Sequence, residues 1–142
     1  MDMGPRSRLD PRVLEMDPPF AIDHLDHLVL RVRDLNKSVA FYTMLGGRVR
    51  LTRQDTTSIL LVPPNTRVTL KHEPGFVPPQ VGNLDHINLA VRARDIAEVE
   101  AYLRANGARI IEDLERQSGS PTVRVLDPDE NIVEIRLVET GP

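Results

Sequence analysis

A repeated strand motif constrains the fold of this chain more than any other feature of its sequence. Leu-Asp-His begins at Leu25 and again at Leu84, and in both copies aliphatic residues then alternate with other residues. Alternation with a period of two is typical of a β-strand whose two faces meet different environments. The histidines of the two copies, His27 and His86, lie on the more polar face. The repeat therefore predicts two related halves, each of which contributes one histidine to a shared site.

Each half shows the same order of predicted elements. The strands at 25–33 and 84–92 are each followed by a helix that begins after an aspartate, Asp34 or Asp95, and aspartate is a residue suited to a helix N-cap. Three further strands complete each half, at 48–53, 57–62 and 66–71 and at 109–112, 121–126 and 132–138. We therefore predict an α+β fold in which two βαβββ modules form a curled mixed β-sheet around a cleft.

The predicted organisation is one domain over residues 23–139. Its modules, 23–72 and 84–139, are joined by a linker at 73–83 that is rich in proline and glycine. Residues 1–22 contain four prolines and charges of both signs, which predicts an N-terminal arm that is disordered or packs on a partner subunit. Tyr42 and Tyr102 lie on the apolar stripes of the two predicted helices, and we expect both in the core.

Composition excludes several classes of protein. The chain has no cysteine, so disulfides, thiolate metal ligands and cysteine nucleophiles are ruled out. A net charge of −3 argues against a general nucleic-acid binder. No apolar run approaches the roughly 20 residues needed to span a membrane, and the N-terminus lacks the apolar stretch of a secretory signal. We expect a cytoplasmic protein with no nucleic-acid or membrane partner.

A glutamate in the last predicted strand is the third candidate for the shared site. Glu134 lies between two aliphatic neighbours, and burying an unpaired charge is costly, so the carboxylate either faces water or has a strong partner. With His27 and His86 it would form a 2-His-1-carboxylate face that holds one divalent metal ion in the cleft. When the two halves are aligned, Thr69 takes the position of Glu134. The first half therefore lacks a fourth ligand, and three ligands with an open position are typical of catalytic metal sites. The alternative is two capped strand histidines and a solvent-facing glutamate.

A second group of polar residues shares the face parity of the candidate ligands. Long basic side chains often only reach solvent at strand ends. The functional alternative is that some of them bind an anionic substrate, because arginine can pair with a carboxylate or phosphate through two hydrogen bonds. The predicted substrate-binding residues are Arg31, Arg67, Lys71, Asn88 and Arg136.

These motifs together resemble the vicinal oxygen chelate superfamily, which includes glyoxalase I, fosfomycin-resistance thiol transferases, extradiol dioxygenases and bleomycin-resistance proteins. The resemblance covers roughly residues 23–139. It is carried by Leu-Asp-His-Leu-Val-Leu-Arg-Val-Arg-Asp-Leu from Leu25, Ser-Val-Ala-Phe-Tyr from Ser38, Leu-Asp-His from Leu84, and Asp-Pro-Asp-Glu-Asn-Ile-Val-Glu ending at Glu134. In the last of these, Glu130 replaces the glycine common in the family's turn, which we expect to affect turn geometry.

The resemblance implies both a site and an activity. The family's metal positions fall on His27, His86 and Glu134, and Thr69 stands where glyoxalase I has a carboxylate ligand. The implied protein is a homodimeric, metal-dependent isomerase, lyase, thiol transferase or ring-cleaving dioxygenase that acts on a small oxygenated, anionic substrate. The implied cofactor is one divalent ion, which is Mn, Fe, Ni or Zn. The rival function is that of a metal-free small-molecule binding protein of the bleomycin-resistance type.

Overall fold

The first half of the chain folds as a strand, a helix and three strands. The computed structural model of the protein describes residues 9–62, 66–112 and 122–138. Residues 1–8 of the predicted arm lie outside the described residues, and so does the segment between the strands predicted at 109–112 and 121–126. One short helix, α1 (Pro11–Leu14), lies in the arm. The elements of the first half are then β1 (His27–Val32), α2 (Leu35–Met44), β2 (Arg48–Arg53), β3 (Thr56–Val62) and β4 (Thr66–His72).

The second half repeats this order. Its elements are β5 (Ile87–Val91), α3 (Ile96–Ala105), β6 (Arg109–Ile110), β7 (Thr122–Leu126) and β8 (Ile132–Leu137). No helix within the described ranges is long and apolar enough to cross a membrane.

Each half builds its own mixed sheet of four strands. The strand order is β1-β4-β3-β2 in the first sheet and β5-β8-β7-β6 in the second. The first and last strands of each module pair in parallel, and the other pairs are antiparallel. The predicted α+β fold with two βαβββ modules is therefore confirmed. The repeated strands β1 and β5 occupy equivalent edges of the two sheets.

Aspartate caps begin both long helices, as the sequence predicts. The side chain of Asp34 accepts a hydrogen bond from the backbone N–H of Lys37, and that of Asp95 accepts one from Glu98. Each bond satisfies an N–H group that has no partner within the helix. The turn after α2 needs glycine at Gly47, because a Cβ there would lie 2.5 Å from Cγ2 of Ile59.

The apolar core contains residues from both modules. Alternation buries Val133 and Ile135 on one face of β8, as predicted, and α2 contributes Tyr42, which has no exposed surface. The prediction that Tyr102 is also a core residue is wrong, because 51% of its surface is exposed. Its hydroxyl donates to the carbonyl of Met44 at 2.7 Å, near the C-terminus of α2 where carbonyls lack partners within the helix.

Two buried aspartates in the β7–β8 turn attach the second module to the first. Asp127 accepts a hydrogen bond from the hydroxyl of Tyr42 at 2.7 Å, and Asp129 accepts from the backbone N and Nε of Arg33 at 3.0 and 2.9 Å. Burial and the charge of Asp127 raise the pKa of Tyr42 well above its usual value. Glu130 has a φ of 71°, so this residue adopts the conformation that favours glycine. The turn that leads into β8 is therefore held from both modules.

Candidate functional site

The two repeated histidines have the same local environment. Nδ1 of His27 donates to Oδ2 of Asp26 at 2.6 Å, and Nδ1 of His86 donates to Oδ2 of Asp85 at 2.7 Å. A carboxylate that accepts from one ring nitrogen fixes the tautomer and leaves the lone pair of Nε2 available to a ligand. The repeat in sequence is therefore also a repeat of two oriented imidazoles.

The structure brings His86 and Glu134 together. Nε2 of His86 lies 3.4 Å from Oε2 of Glu134, and their side chains are 31% and 13% exposed. The pair exists because β5 and β8 are parallel neighbours, with Asn88 opposite Glu134 in the register. One nitrogen and one oxygen donor thus converge at the edge of the second sheet.

Arg124 is a further candidate site residue that was not predicted from the sequence. It lies opposite Glu134 in the register of β7 and β8, and its Nε is 3.3 Å from Oε2 of Glu134. The signal was present in the sequence, because alternation in residues 122–126 places Arg124 on the face opposite Val123 and Val125. The carboxylate of Glu134 therefore lies between an imidazole and a guanidinium.

His27 lies on the other sheet. It is opposite Arg67 in the register of β1 and β4, and Arg67 donates to the same Asp26 carboxylate that His27 contacts. The hydrogen bond from His27, and after it the one from Arg67, lower the pKa of Asp26. Over residues 9–62, 66–112 and 122–138 no three His, Asp or Glu side chains cluster closely enough to hold a metal ion. The three-residue metal site thus stays a prediction.

The strand registers show how the two modules differ at the position of the third ligand. Thr69 lies opposite Val29 in the first sheet, and Glu134 lies opposite Asn88 in the second, so Thr69 and Glu134 are equivalent. The hydroxyl of Thr69 is 3.1 Å from that of Ser58. The first module therefore offers neutral hydroxyls where the second offers a carboxylate.

The predicted substrate-binding residues divide between the two sheets. In the first sheet, Arg31 and Lys71 both contact the carboxylate of Glu73, at 3.1 and 3.7 Å, and Arg67 contacts Asp26. In the second sheet, Asn88 and Arg136 are exposed. The structure does not bring the five residues into one group within the chain, so their shared role stays a prediction.

A cavity of about 480 Å³ lies beside the first sheet rather than at the His86–Glu134 pair. Val29 and Arg31 of β1 form one wall, and linker residues 78–83, Asp85 and the β7–β8 turn form the others. Leu30 also borders the cavity, so the cavity lies along the open edge of β1 and beside the start of the second repeat.

Comparison with known proteins agrees with this fold. The model of the Glyoxalase/Bleomycin resistance protein/Dioxygenase superfamily matches residues 24–135. Glyoxalase domain-containing protein RDO1 of Mycosarcoma maydis is 28% identical over 124 residues, which cover 82% of this chain and 69% of that protein.

Two solved structures share the fold at low sequence identity. A glyoxalase/dioxygenase from Nostoc punctiforme is 19% identical with a TM-score of 0.73, over 89% of this chain and 98% of that one. A mutant of the fosfomycin resistance protein FosX from Listeria monocytogenes is 19% identical with a TM-score of 0.66, over 82% of this chain and 90% of that one. The FosX structure is a complex with Mn(II) and 1S,2S-dihydroxypropylphosphonic acid.

Proposed function

Because this chain belongs to the Glyoxalase/Bleomycin resistance protein/Dioxygenase superfamily, we propose that it is a metal-dependent enzyme that acts on a small oxygenated, anionic substrate. The His86–Glu134 pair carries the proposal, since its nitrogen and oxygen lie 3.4 Å apart and both can bind one ion. The orientation of His86 by Asp85 supports it, because metal-binding histidines commonly donate their other N–H to a carboxylate.

The third ligand in this proposal is His27 from a second copy of the chain. Within the described residues, β1 and β5 each pair with a neighbouring strand on one side only. Open strand edges favour association with another chain. In a homodimer, the first module of one chain would face the second module of its partner. Each of the two sites would then combine His86 and Glu134 with His27 of the other copy.

A divalent ion such as Mn²⁺, Fe²⁺, Ni²⁺ or Zn²⁺ would supply Lewis-acid stabilisation of negative charge on two neighbouring substrate oxygens. The chain itself would bind and orient the substrate. Arg124 lies beside Glu134 at 3.3 Å and is well placed to pair with an anionic group near the metal ligands. The phosphonic acid in the FosX complex supports the choice of an anionic substrate class.

Titration with Mn²⁺, followed by electron paramagnetic resonance, tests the metal site directly. We expect one Mn²⁺ per chain, and we expect Glu134→Gln to weaken binding by more than about 100-fold, since even outer partners of a ligand change affinity about 10- to 100-fold. Glu98→Gln is the matched control, because Glu98 is an exposed carboxylate on α3. Wild-type protein that binds none of the four ions would refute the proposal.

One observation favours a second function, that of a metal-free binding protein. Arg124 and His86 both contact Glu134, so its carboxylate already has a charged partner without a metal ion. The cleft would then sequester a small anionic molecule. Metal analysis of protein purified without a chelator distinguishes the two functions, because the binding protein would contain no stoichiometric metal and would bind its ligand equally well after dialysis against a chelator.

A further inference from the structure

On the polar face of the first sheet, a row of residues that includes three cations lies farther along the strands than His27. The strand registers align Arg31 of β1 with Lys71 of β4, Lys71 with Thr56 of β3, and Thr56 with Arg53 of β2. We call these four residues the distal row. The same registers place His27 in a parallel row with Arg67. Arg31 follows His27 by four positions, so the two rows lie ~13 Å apart along the strands.

The distal row has more positive than negative charge. Arg31 donates from Nε to Oε1 of Glu73 at 3.1 Å, and Nζ of Lys71 lies 3.7 Å from the same oxygen. Arg53 is exposed, and its side chain has no hydrogen-bond or ion-pair partner in the described part of the chain. Asp55, in the turn after β2, makes no ion pair with any of the three cations within those residues. A single carboxylate therefore serves two of three cations.

Between the two rows lies a stretch of different chemistry. Val29 and Leu51 form its ends and are 53% and 46% exposed. Its centre is the hydroxyl pair of Ser58 and Thr69. Exposed aliphatic side chains flanked by charged rows are suited to the apolar part of a bound molecule.

A cavity of about 480 Å³ reaches one end of this face, at the edge of β1. Val29 and Arg31 border it, whereas Lys71 and Arg53 lie on the open surface of the sheet beyond it. Glu73 shows that the distal row accepts a carboxylate, because one of its oxygens is already shared by Arg31 and Lys71. A ligand carboxylate could occupy the remaining donors of Arg31 and Lys71 together with those of Arg53, since guanidinium has several donors.

We propose that the substrate carries a carboxylate at the end remote from the metal, and that Arg31, Lys71 and Arg53 bind this group. The inference rests on the proposed function, which places the chelating oxygens of the substrate near His27. The substrate class is therefore a small acid with two neighbouring oxygens at one end, an apolar middle and a carboxylate at the other end. Arg53 and Lys71 are the specificity-determining residues in this account.

Two matched probes test the distal row. 2-Oxosuberate has a 2-oxo acid at one end and a second carboxylate at the other, and 2-oxooctanoate has the same chain length with a methyl end. We expect wild-type protein with Mn²⁺ to bind 2-oxosuberate about tenfold or more tightly than 2-oxooctanoate, because a charge-assisted pair contributes affinity of that order. Arg53→Met and Lys71→Met should each lower the ratio towards one, because each removes a cation that binds the second carboxylate of 2-oxosuberate.

The control variant is Arg94→Met, which removes the same charge from a side chain that is 83% exposed and follows β5 in the second module. It should keep the wild-type ratio. Circular dichroism and Mn²⁺ affinity should be the same for all variants. Equal binding of the two probes by wild-type protein, or a ratio that survives both Arg53→Met and Lys71→Met, would overturn the inference while leaving the metal site intact.

The same titrations without Mn²⁺ separate this inference from the proposed function. If the protein binds no metal but still prefers 2-oxosuberate through Arg53 and Lys71, the distal row is supported and the metal-dependent enzyme is not. If metal binds and the preference is absent, the distal row is refuted and the metal site stands.

Discussion

The two modules share one topology but differ in what they present on their polar faces. In both, the first and last strands pair in parallel, and a histidine is oriented by the preceding aspartate. The second module adds the carboxylate of Glu134 beside its histidine, whereas the first has Thr69 at the equivalent position and a set of cations around it. Under the proposed function the halves would divide the work, with two of the three metal ligands in the second module and the distal row in the first.

The β7–β8 turn of the second module is buried against the first module, whereas the β2–β3 turn of the first module is exposed. This difference gives the largest expected effect on the free energy of unfolding. Asp127→Ala should lower the free energy of unfolding by ~3 kcal/mol, because it leaves the hydroxyl of Tyr42 and the side chain of Asn131 without their buried acceptor. Asp55→Ala, in the exposed turn between β2 and β3, should change it by less than about 0.5 kcal/mol. Urea unfolding measures both, and equal effects would contradict the asymmetry of the two turns.

The equivalent tyrosines give the next largest contrast. Tyr42 is buried and bonds a carboxylate, while Tyr102 is half exposed and bonds the carbonyl of Met44. Tyr42→Phe should cost about 2 kcal/mol of unfolding free energy and Tyr102→Phe about 0.5 kcal/mol, since bonds to charged groups are the stronger ones. The comparison fails if thermal unfolding shows the same midpoint for both variants.

The aspartates behind the two histidines give a smaller effect, on metal affinity. Asp85→Asn and Asp26→Asn should each weaken Mn²⁺ binding about tenfold, because each removes the acceptor that orients an imidazole. Similar losses of Mn²⁺ affinity in the two variants would support a site in which both histidines bind the ion. A loss in Asp85→Asn alone would indicate that His27 is not a ligand.

The pH dependence of stability gives the smallest effect. The pKa of Tyr42 is raised by burial and by the charge of Asp127 above its usual value of 10.0, so the folded protein keeps a proton that the unfolded chain loses. The stabilisation is complete below pH 10 and falls as the pH rises beyond it, by up to about 1.4 kcal/mol per pH unit. Tyr42→Phe should lack this decline. Unfolding curves at pH 9, 10 and 11 measure the difference.

Much of the fold could be predicted because local patterns set the local structure. Alternation identified the strands and the buried face of β8, and Asp34 and Asp95 marked the helix starts. The equivalence of Thr69 and Glu134 followed from the repeat, and the strand registers agree with it. The strands and the helix starts depend on neighbours within one element, so the sequence carries them directly. The alignment of Thr69 with Glu134 comes from comparing the two copies of the repeat.

The arrangement of elements in space was harder to predict. Periodicity places Tyr102 on the apolar stripe of a helix but does not tell which surface covers that stripe. In the structure, Tyr102 is half exposed. Arg124 approaches Glu134 only through the pairing of β7 with β8, which required the hairpin register. Likewise, two strands with the same face parity can lie on different sheets, as β1 and β5 do. Parity fixes a face within a sheet and carries no distance between sheets.

Mixing two variants, each of which lacks one proposed metal ligand, tests most directly whether the modules of different copies form one metal site. His27→Ala removes the ligand of the first module, and Glu134→Gln removes a ligand of the second. If the site joins two chains, a heterodimer of these variants contains one intact site and one site that lacks both groups. We predict that each variant alone loses tight Mn²⁺ binding and that the refolded mixture regains one tightly bound Mn²⁺ per heterodimer. A mixture that forms heterodimers and regains no tight Mn²⁺ site would contradict it.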